Sequence, residues 1–96
     1  MTYGEQEMNT RLKINLYINP SLRKHQYLYN NLRQALKRKE GADIELKVVD
    51  AVTEIDSALK DNVFMIPTIV RISPLPERRL VGNITDPRRI MKALSV

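Results

Sequence analysis

The sequence predicts one α/β domain in which helices cover a mixed β-sheet, in the order β-α-β-α-β-β-α. Apolar residues alternate with polar ones over residues 12–18 and again over residues 44–48, which is the period of a half-buried strand. Between these two stretches the apolar residues recur at helical spacing. A strand, a helix and a second strand in this order make a right-handed parallel unit, so the first two strands should be parallel neighbours.

The first third of the chain is predicted to be a strand followed by a long helix. Asn19-Pro20 supplies a turn or a helix start after the strand, because proline suits a first helical position. Gly41 is suited to stop the helix, and the cations just before it favour the negative end of the helix dipole. The core side of this helix is predicted to carry four residues: Leu28, Leu32, Ala35 and Leu36.

After the second strand, the sequence predicts a short helix and a third strand. Residues 53–56 resemble a helix entry, and Asp61-Asn62 breaks the helix that follows. A proline inside a central strand would remove a ladder hydrogen bond, so Pro67 should mark a strand start or an edge. Residues 73–76, which contain two prolines, are predicted to form a rigid turn.

The last strand and the last helix follow this turn. Leu80-Val81 are predicted to continue a short strand that Gly82 ends. Thr85-Asp86-Pro87 combines a helix cap with a first-turn proline and should open the final helix. The apolar side of that helix is predicted to carry Ile90, Met91 and Leu94.

Length and composition indicate the class of protein. A chain of 96 residues with 43% hydrophobic and 28% charged residues fits an ordinary globular domain, here taken as residues 11–96. Residues 1–10 are polar and are expected to form a flexible leader, not a signal or transit peptide. Nothing approaches the roughly 20 apolar residues of a membrane span. The lack of cysteine excludes disulfides, thiolate nucleophiles and zinc–sulfur sites, and it fits a cytoplasmic location.

The net charge of +5 comes from basic residues that cluster along the chain. The clusters lie within residues 33–39, 78–79 and 88–92. Such clusters could neutralise phosphates, which leaves a nucleic-acid-binding module open as an alternative. No group of aromatic residues suggests a base-stacking platform. The charge is therefore interpreted as solvated faces that favour an acidic protein surface, and nucleic acid is not the expected partner.

The other polar residues that could carry chemistry are isolated. His25 is the only histidine, and its place early in an amphipathic helix predicts a solvated side chain. Asp50 ends a strand and is expected to cap a turn. One histidine without cysteine makes no metal site, and the glycines are too far apart for a phosphate loop, so no metal or cofactor is predicted. Tyr27 and Tyr29 could anchor an interface, although packing in or beside the core is expected.

A resemblance to a known family runs along nearly the whole chain, from about Leu12 to Leu94. Ile66-Pro67-Thr68 before a strand resembles the thioredoxin superfamily, whose members place a cis-proline there. The wider pattern is similar to the KaiB family and implies a thioredoxin-like fold. It consists of four segments: Leu16-Tyr17-Ile18, Leu46-Lys47-Val48-Val49-Asp50, Ile66-Pro67-Thr68 and Pro74-Leu75-Pro76-Glu77-Arg78-Arg79-Leu80-Val81-Gly82.

The resemblance implies a function by binding and not by catalysis. KaiB proteins bind the ATPase KaiC, sequester KaiA and engage histidine kinases, and so set a circadian period or serve timing and stress adaptation. The family is metamorphic, with a thioredoxin-like monomer that binds partners and a dimeric or tetrameric resting fold rearranged after about Asp50. Redox catalysis is excluded because residues 19–22 provide no cysteine where a thioredoxin-like enzyme needs one. A sensor-type module that acts with a histidine kinase is the alternative.

Site residues follow from matching positions of the family. Docking onto an acidic partner is expected at four basic residues: Lys47, Arg71, Arg78 and Arg79. Switching between the two folds is expected to involve five residues at turns and at the final helix: Pro67, Pro74, Pro76, Gly82 and Ala93. Isomerisation of the X-Pro bonds is the hypothesised slow step, since it takes tens to hundreds of seconds.

Four positions depart from the family pattern. Leu75 replaces the middle one of three consecutive prolines, and Ile55 stands where a proline is common. Asn62 replaces a lysine that contacts partners in the family, so docking onto KaiC should be affected there. Ala93 replaces a frequent glycine, and alanine is favoured over glycine in a helix by roughly 1 kcal/mol. We therefore expect this chain to favour the thioredoxin-like state.

Overall fold

The computed structural model describes residues 11–39, 43–82 and 86–96. These residues form four strands and three helices in the predicted order β-α-β-α-β-β-α. The strands are β1 (Leu12–Ile18), β2 (Ile44–Asp50), β3 (Thr68–Ser73) and β4 (Arg78–Val81). The helices are α1 (Arg23–Lys37), α2 (Ile55–Lys60) and α3 (Pro87–Ala93). The expected leader at residues 1–10, the helix stop at Gly41 and the cap at Thr85 lie outside the described residues.

The sheet is mixed, with strand order β2-β1-β3-β4. β1 and β2 are parallel, with Leu12 opposite Ile44 and Ile18 opposite Asp50, as the strand–helix–strand pattern predicts. β3 runs antiparallel to β1, and β4 runs antiparallel to β3. The second half of the chain therefore adds its strands to one side of the parallel pair.

Two apolar clusters lie on the two faces of the sheet, because neighbouring strand residues point to opposite faces. On one face, α1 and α3 pack over β1 and β3. The buried members of that cluster are Ile14, Leu16, Ile18, Leu28, Leu32, Leu36, Ile69, Ile90 and Leu94. On the other face, the smaller helix α2 and the segment after it cover Tyr17, Val49, Ala58, Val63 and Val70. The second face is thus covered mainly near one end of the strands.

The start of α1 differs from the prediction at His25. This side chain is only 5% exposed, and its Nδ1 accepts a hydrogen bond from the backbone N–H of Asn19 at 2.9 Å. The expectation of a solvated histidine is therefore wrong. The imidazole turns inward and accepts the hydrogen bond of a backbone N–H group in the loop before the helix. The helix begins at Arg23, so Pro20 lies in the turn and not at the first helical position.

The start and the end of α2 are each organised by a polar residue, Asp50 and Asn62 respectively. The carboxylate of Asp50 accepts hydrogen bonds from the backbone N–H groups of Val52 and Thr53 at 2.9 and 3.2 Å, which confirms its role as a turn cap. Asn62 ends α2 with a φ of 60°, while Val63 N–H donates to the carbonyl of Ala58 at 2.8 Å. This is the left-handed helix ending that favours glycine or asparagine, so Asn62 suits its place in the backbone.

The prolines and Gly82 mark the ends of β3 and β4. The peptide bonds before Pro67, Pro74 and Pro76 are cis, and β3 begins directly after Pro67, as predicted. β4 ends at Val81, and Gly82 follows with a φ of 116°, a region that side chains strain. The N–H of Gly82 donates to the carbonyl of Pro67 at 3.0 Å, which ties the two strand ends together.

The final helix begins at Asp86-Pro87, within the predicted helix start. The carboxylate of Asp86 accepts a hydrogen bond from the N–H of Arg88 at 3.0 Å, with Pro87 in the first turn. Ile90 and Leu94 are fully buried against the sheet. Ala93 is the last residue of α3 and is exposed. The structure thus has the thioredoxin-like arrangement, while the preference over a second fold remains a prediction.

Candidate protein-binding surface

An apolar groove lies between α2 and the segment that leads to β3. It has a volume of about 200 Å³. Its floor includes Ala58 and Val63, which are buried. Its walls are five apolar side chains, all more than a third exposed: Ile55 (54%), Leu59 (50%), Phe64 (76%), Met65 (65%) and Ile66 (37%). Apolar residues scattered singly over a surface are ordinary, whereas a contiguous exposed apolar patch is typical of a site of protein association. These five side chains form such a patch, because they line one groove.

A second concavity joins the groove at the start of α1. It has a volume of about 480 Å³ and is lined by Leu22, Arg23, Lys24, His25, Ile66 and Pro67. A thioredoxin-like redox enzyme would place its reactive cysteine in this part of the fold, and this chain has none. The residues that line this concavity instead provide apolar side chains and two cations, Arg23 and Lys24.

Ile66 lines both concavities, so the two form one continuous surface, here named the Pro67 surface. Its centre is apolar, and Arg23 and Lys24 lie at its edge, where both are exposed. An apolar centre with a charged rim is the usual composition of a protein–protein interface. The Pro67 surface can therefore bind a protein whose contact area is apolar in the middle and acidic at its margin.

The structure brings two of the four predicted docking residues to one face of the sheet. Lys47 pairs with Asn15, Asn15 pairs with Val70, and Val70 pairs with Arg79. Lys47 and Arg79 therefore lie in one row across the sheet, three strand spacings or about 14 Å apart. Lys47 is exposed on edge strand β2.

Arg79 is partly engaged within the chain. Its guanidinium donates hydrogen bonds to the carboxylate of Glu77 at 2.7 Å and to the carbonyls of Asp61 and Asn62 at 2.5 and 3.1 Å. Its side chain keeps 30% of its surface exposed. Arg79 therefore holds the end of α2 against β4 and has limited capacity for a partner. Arg78 is exposed and, one residue along the strand, points to the opposite face.

Arg71 occupies a position that the sequence did not predict. It is 5% exposed and donates to three backbone carbonyls, those of Pro76 at 2.7 Å, Leu94 at 2.9 Å and Ser95 at 3.2 Å. Its Nε is buried and has no hydrogen-bond partner among the described residues. Arg71 is therefore a structural residue that fastens the 74–76 turn to the end of α3. This corrects the expectation that it lies on the docking surface.

Two features of the exposed surface were missed from the sequence, one on the Pro67 surface and one on α1. Phe64, Met65 and Ile66 belong to a strongly apolar run of the sequence, yet all three lie outside the strand ladder and face solvent. The signal that could have identified them is the position of Pro67, because residues before a strand-starting proline need not point into the core. Tyr27 was expected in or beside the core and is instead 63% exposed, whereas Tyr29 packs against the core as expected.

No group of three or more histidine, cysteine, aspartate or glutamate side chains that could hold a metal ion occurs in the part of the chain that the structure describes. None of the three helices described is long and apolar enough to cross a membrane.

Comparison with known sequences identifies the family. A family model described as the KaiB domain matches residues 15–96. The circadian clock oscillator protein KaiB of Prochlorococcus marinus (strain MIT 9312) is 30% identical over 67 residues, which make up 70% of this chain and 64% of that protein. The protein of the same name from Synechococcus elongatus (strain PCC 7942) is 31% identical over 51 residues, covering 53% of this chain and 50% of that protein. The matched segments thus span less than two thirds of these relatives.

Solved structures show the same fold. The N-terminal domain of Synechococcus elongatus SasA superposes with a TM-score of 0.71 at 19% identity, covering 88% of this chain and 84% of that one. Chloroplastic thioredoxin z superposes with a TM-score of 0.70 at 17% identity, covering 99% and 88%. The predicted thioredoxin-like fold is confirmed. Since the KaiB domain match extends over well more than half of the sequence, the chain belongs to the KaiB family.

Proposed function

We propose that this chain is a non-catalytic clock-type regulator that binds a KaiC-type ATPase and changes its timing or its access to other partners. The observation that carries the proposal is the KaiB domain match over residues 15–96. Similarity to proteins named as circadian clock oscillator components supports the same class of function.

The Pro67 surface is the part of the fold that we assign to this binding. A partner that covers the apolar centre would bury Phe64 and Met65, which are 76% and 65% exposed in the free chain. Burying two such side chains stabilises a complex by several kcal/mol, before the entropy of association is subtracted. Arg23 and Lys24 at the rim favour an acidic partner and would raise the association rate at low salt. Lys47 on β2 and Arg78 on β4 remain proposed contacts to the same partner, outside the Pro67 surface.

The experiment is size-exclusion chromatography with light scattering of the full chain, alone and mixed with the host's KaiC-type ATPase and ATP. We expect a complex at the mass of the ring plus this chain. The mass of the free chain also distinguishes a monomer from the homodimer or homotetramer that the family allows.

A pair of variants locates the contact. F64S/M65S removes the apolar walls and should weaken the complex at least tenfold. Y27S removes an aromatic side chain of similar exposure from α1, away from the groove, and should change affinity less than threefold. Equal effects of the two variants would remove the Pro67 surface from the proposal while leaving the complex itself in place.

Asn62 supplies a further test, because a partner-contacting lysine is usual at this position. N62K should tighten the complex if that contact is preserved, although lysine tolerates the φ of 60° less well than asparagine. N62G keeps the backbone conformation without adding a charge and serves as the control.

The alternative is a sensor-type module that acts with a histidine kinase, while a KaiA-like protein is a further proposed partner of the regulator itself. Absence of a complex with the ATPase in ATP, ADP and nucleotide-free buffer would overturn the proposal. Co-elution with a histidine kinase of the host would then support the alternative.

A further inference from the structure

The two helices on one face of the sheet carry an unusual concentration of positive charge. Nine of the sixteen Lys and Arg residues of the chain lie in α1, directly after it, or in α3. These nine residues define the basic helical face: Arg23, Lys24, Arg33, Lys37, Arg38, Lys39, Arg88, Arg89 and Lys92. Eight of them are exposed, and Lys39 is half-buried.

Negative charge is nearly missing from the same elements. Residues 23–39 contain no aspartate or glutamate, and residues 86–96 contain only Asp86. Asp86 caps α3 and lies 3.7 Å from the guanidinium of Arg88, the one ion pair that these described segments make. With eight uncompensated cations, this face is much more positive than the net charge of +5 suggests, so the remainder of the protein is slightly acidic.

The tertiary structure joins two basic clusters that are some fifty residues apart in the sequence. α1 and α3 pack side by side, and a shallow concavity between them is lined by Asn31, Gln34, Ala35, Arg38 and Pro87. Arg38 thus lies beside the first residue of α3, and Arg88 follows immediately. The cations of α1 extend along a helix of 15 residues, or about 22 Å.

The chemistry of the face is polar, unlike that of the Pro67 surface. Of the large apolar side chains within the described helices α1 and α3, Tyr27 alone is exposed. Its neighbours on the outside of α1 are amides, including Gln26, Asn30 and Gln34, which are also exposed. Protein interfaces usually have an apolar centre, whereas Arg, Lys, Asn, Gln and Tyr are the side chains that contact phosphates and sugars.

We propose that the basic helical face binds the phosphate backbone of nucleic acid without sequence specificity. The basic helical face shares Arg23 and Lys24 with the rim of the Pro67 surface, but this function does not depend on the binding of an ATPase at the apolar centre of that surface. The cations of α1 and α3 neutralise phosphates and release their counterions, so the affinity falls steeply with salt. Tyr27 and the amides add contacts to sugars and bases.

The test is fluorescence anisotropy of the full chain with a labelled 24-base-pair duplex DNA of random sequence and with a 24-nucleotide RNA. Titrations from 50 to 200 mM KCl give the affinity and its salt dependence. We expect binding to at least one probe at 50 mM KCl, with a linear fall of log affinity against log salt.

Two matched variants locate the site. R38Q/R88Q/K92Q removes three cations from the basic helical face, and R11Q/K13Q/K60Q removes three exposed cations elsewhere. The first should lose more than tenfold in affinity. It should also reduce, by about 3, the magnitude of the slope of log affinity against log salt for duplex DNA. The second should stay within threefold of the parent chain. Circular dichroism and thermal melting check that both variants keep the fold.

Three outcomes would overturn the proposal. These are no binding of either probe at 50 mM KCl, equal losses in the two variants, and binding of poly-glutamate of matched charge as tightly as DNA. The last outcome would assign the face to an acidic protein surface instead of a phosphate backbone.

Discussion

The hydroxyl of Tyr17 donates a 2.6 Å hydrogen bond to the carboxylate of Asp61, a residue 44 positions later in the chain. Tyr17 is fully buried in β1, and Asn15 donates to the same hydroxyl at 3.1 Å. The backbone carbonyl of Asp61 in turn accepts from Arg79. These contacts connect the centre of the sheet, the end of α2 and the edge strand β4, so the segment that carries the apolar groove is held by polar contacts as well as by packing.

The Tyr17 contact predicts a pH dependence of stability. Burial and, next, donation of the hydroxyl proton to Asp61 together raise the pKa of Tyr17 to about 12, because both favour the protonated hydroxyl. The folded pKa exceeds the unfolded value of 10.0, so the contribution to stability is full below pH 10 and is lost as the pH rises toward 12. Urea unfolding should show that the parent chain loses about 2–3 kcal/mol more than Y17F between pH 9 and pH 12.

Absorbance at 295 nm provides the check on assignment. The parent chain should show a tyrosine transition at about pH 12 that is missing in Y17F. Parallel stability curves for the two chains would show that Tyr17 is not the group responsible.

Arg71 should be a major contributor to stability. R71A removes the donors to the carbonyls of Pro76, Leu94 and Ser95 and leaves a cavity, so we expect a loss of about 2–4 kcal/mol in the free energy of unfolding. R78A removes an exposed arginine from the neighbouring strand and should cost about 0.5 kcal/mol or less. Denaturant melts of both variants measure the difference, and equal losses would contradict the structural role of Arg71.

Gly82 should be required for its backbone and not for its small size. Its φ is 116°, and an added Cβ would meet no atom within 4 Å. G82A should therefore cost about 1–3 kcal/mol through backbone strain alone. A chain assembled by chemical ligation with D-alanine at this position accepts positive φ without strain and should retain the parent stability. A loss of stability with D-alanine as large as with L-alanine would point to a different cause.

Ala93 should bias the chain toward the fold described here. It is exposed at the end of α3, so A93G removes little packing and acts through helix propensity, with a cost of about 1 kcal/mol or less. If the chain also adopts the family's resting fold, 1 kcal/mol changes the ratio of the two states by about fivefold. Nuclear magnetic resonance of A93G should show weaker helical signals at residues 87–93 and a larger second population. Identical spectra for the parent chain and A93G would argue against a balance set at this position.

Much of the fold was predictable because it depends on local sequence. The alternating apolar residues of β1 and β2, the proline before β3 and the Asp86-Pro87 helix start all act over a few residues. Each of these local preferences agrees with the final structure. The lack of cysteine likewise excludes thiol chemistry at the start of α1 whatever the fold.

Burial and side-chain partners were decided by tertiary structure. The match to basic positions of the family predicts that Arg71 is a docking residue, but carbonyls from two segments that end near it in space satisfy its guanidinium and allow it to be buried. The place of His25 early in an amphipathic helix predicts a solvated side chain, but its Nδ1 accepts a hydrogen bond from the N–H of Asn19 and the residue is buried. A residue's type limits which bonds it can make, whereas packing of distant segments determines which partners are within reach.

The sequence by itself determined the order of the elements, the exclusion of thiol chemistry and the family, because these rest on local periodicity and on residue identity. Only the tertiary structure decided that Phe64, Met65 and Ile66 form a groove with α2, and that the cations of α1 and α3 share one face. The physical reason is that a surface is made of residues from separate segments. Its shape and charge exist only once the sheet has brought those segments together.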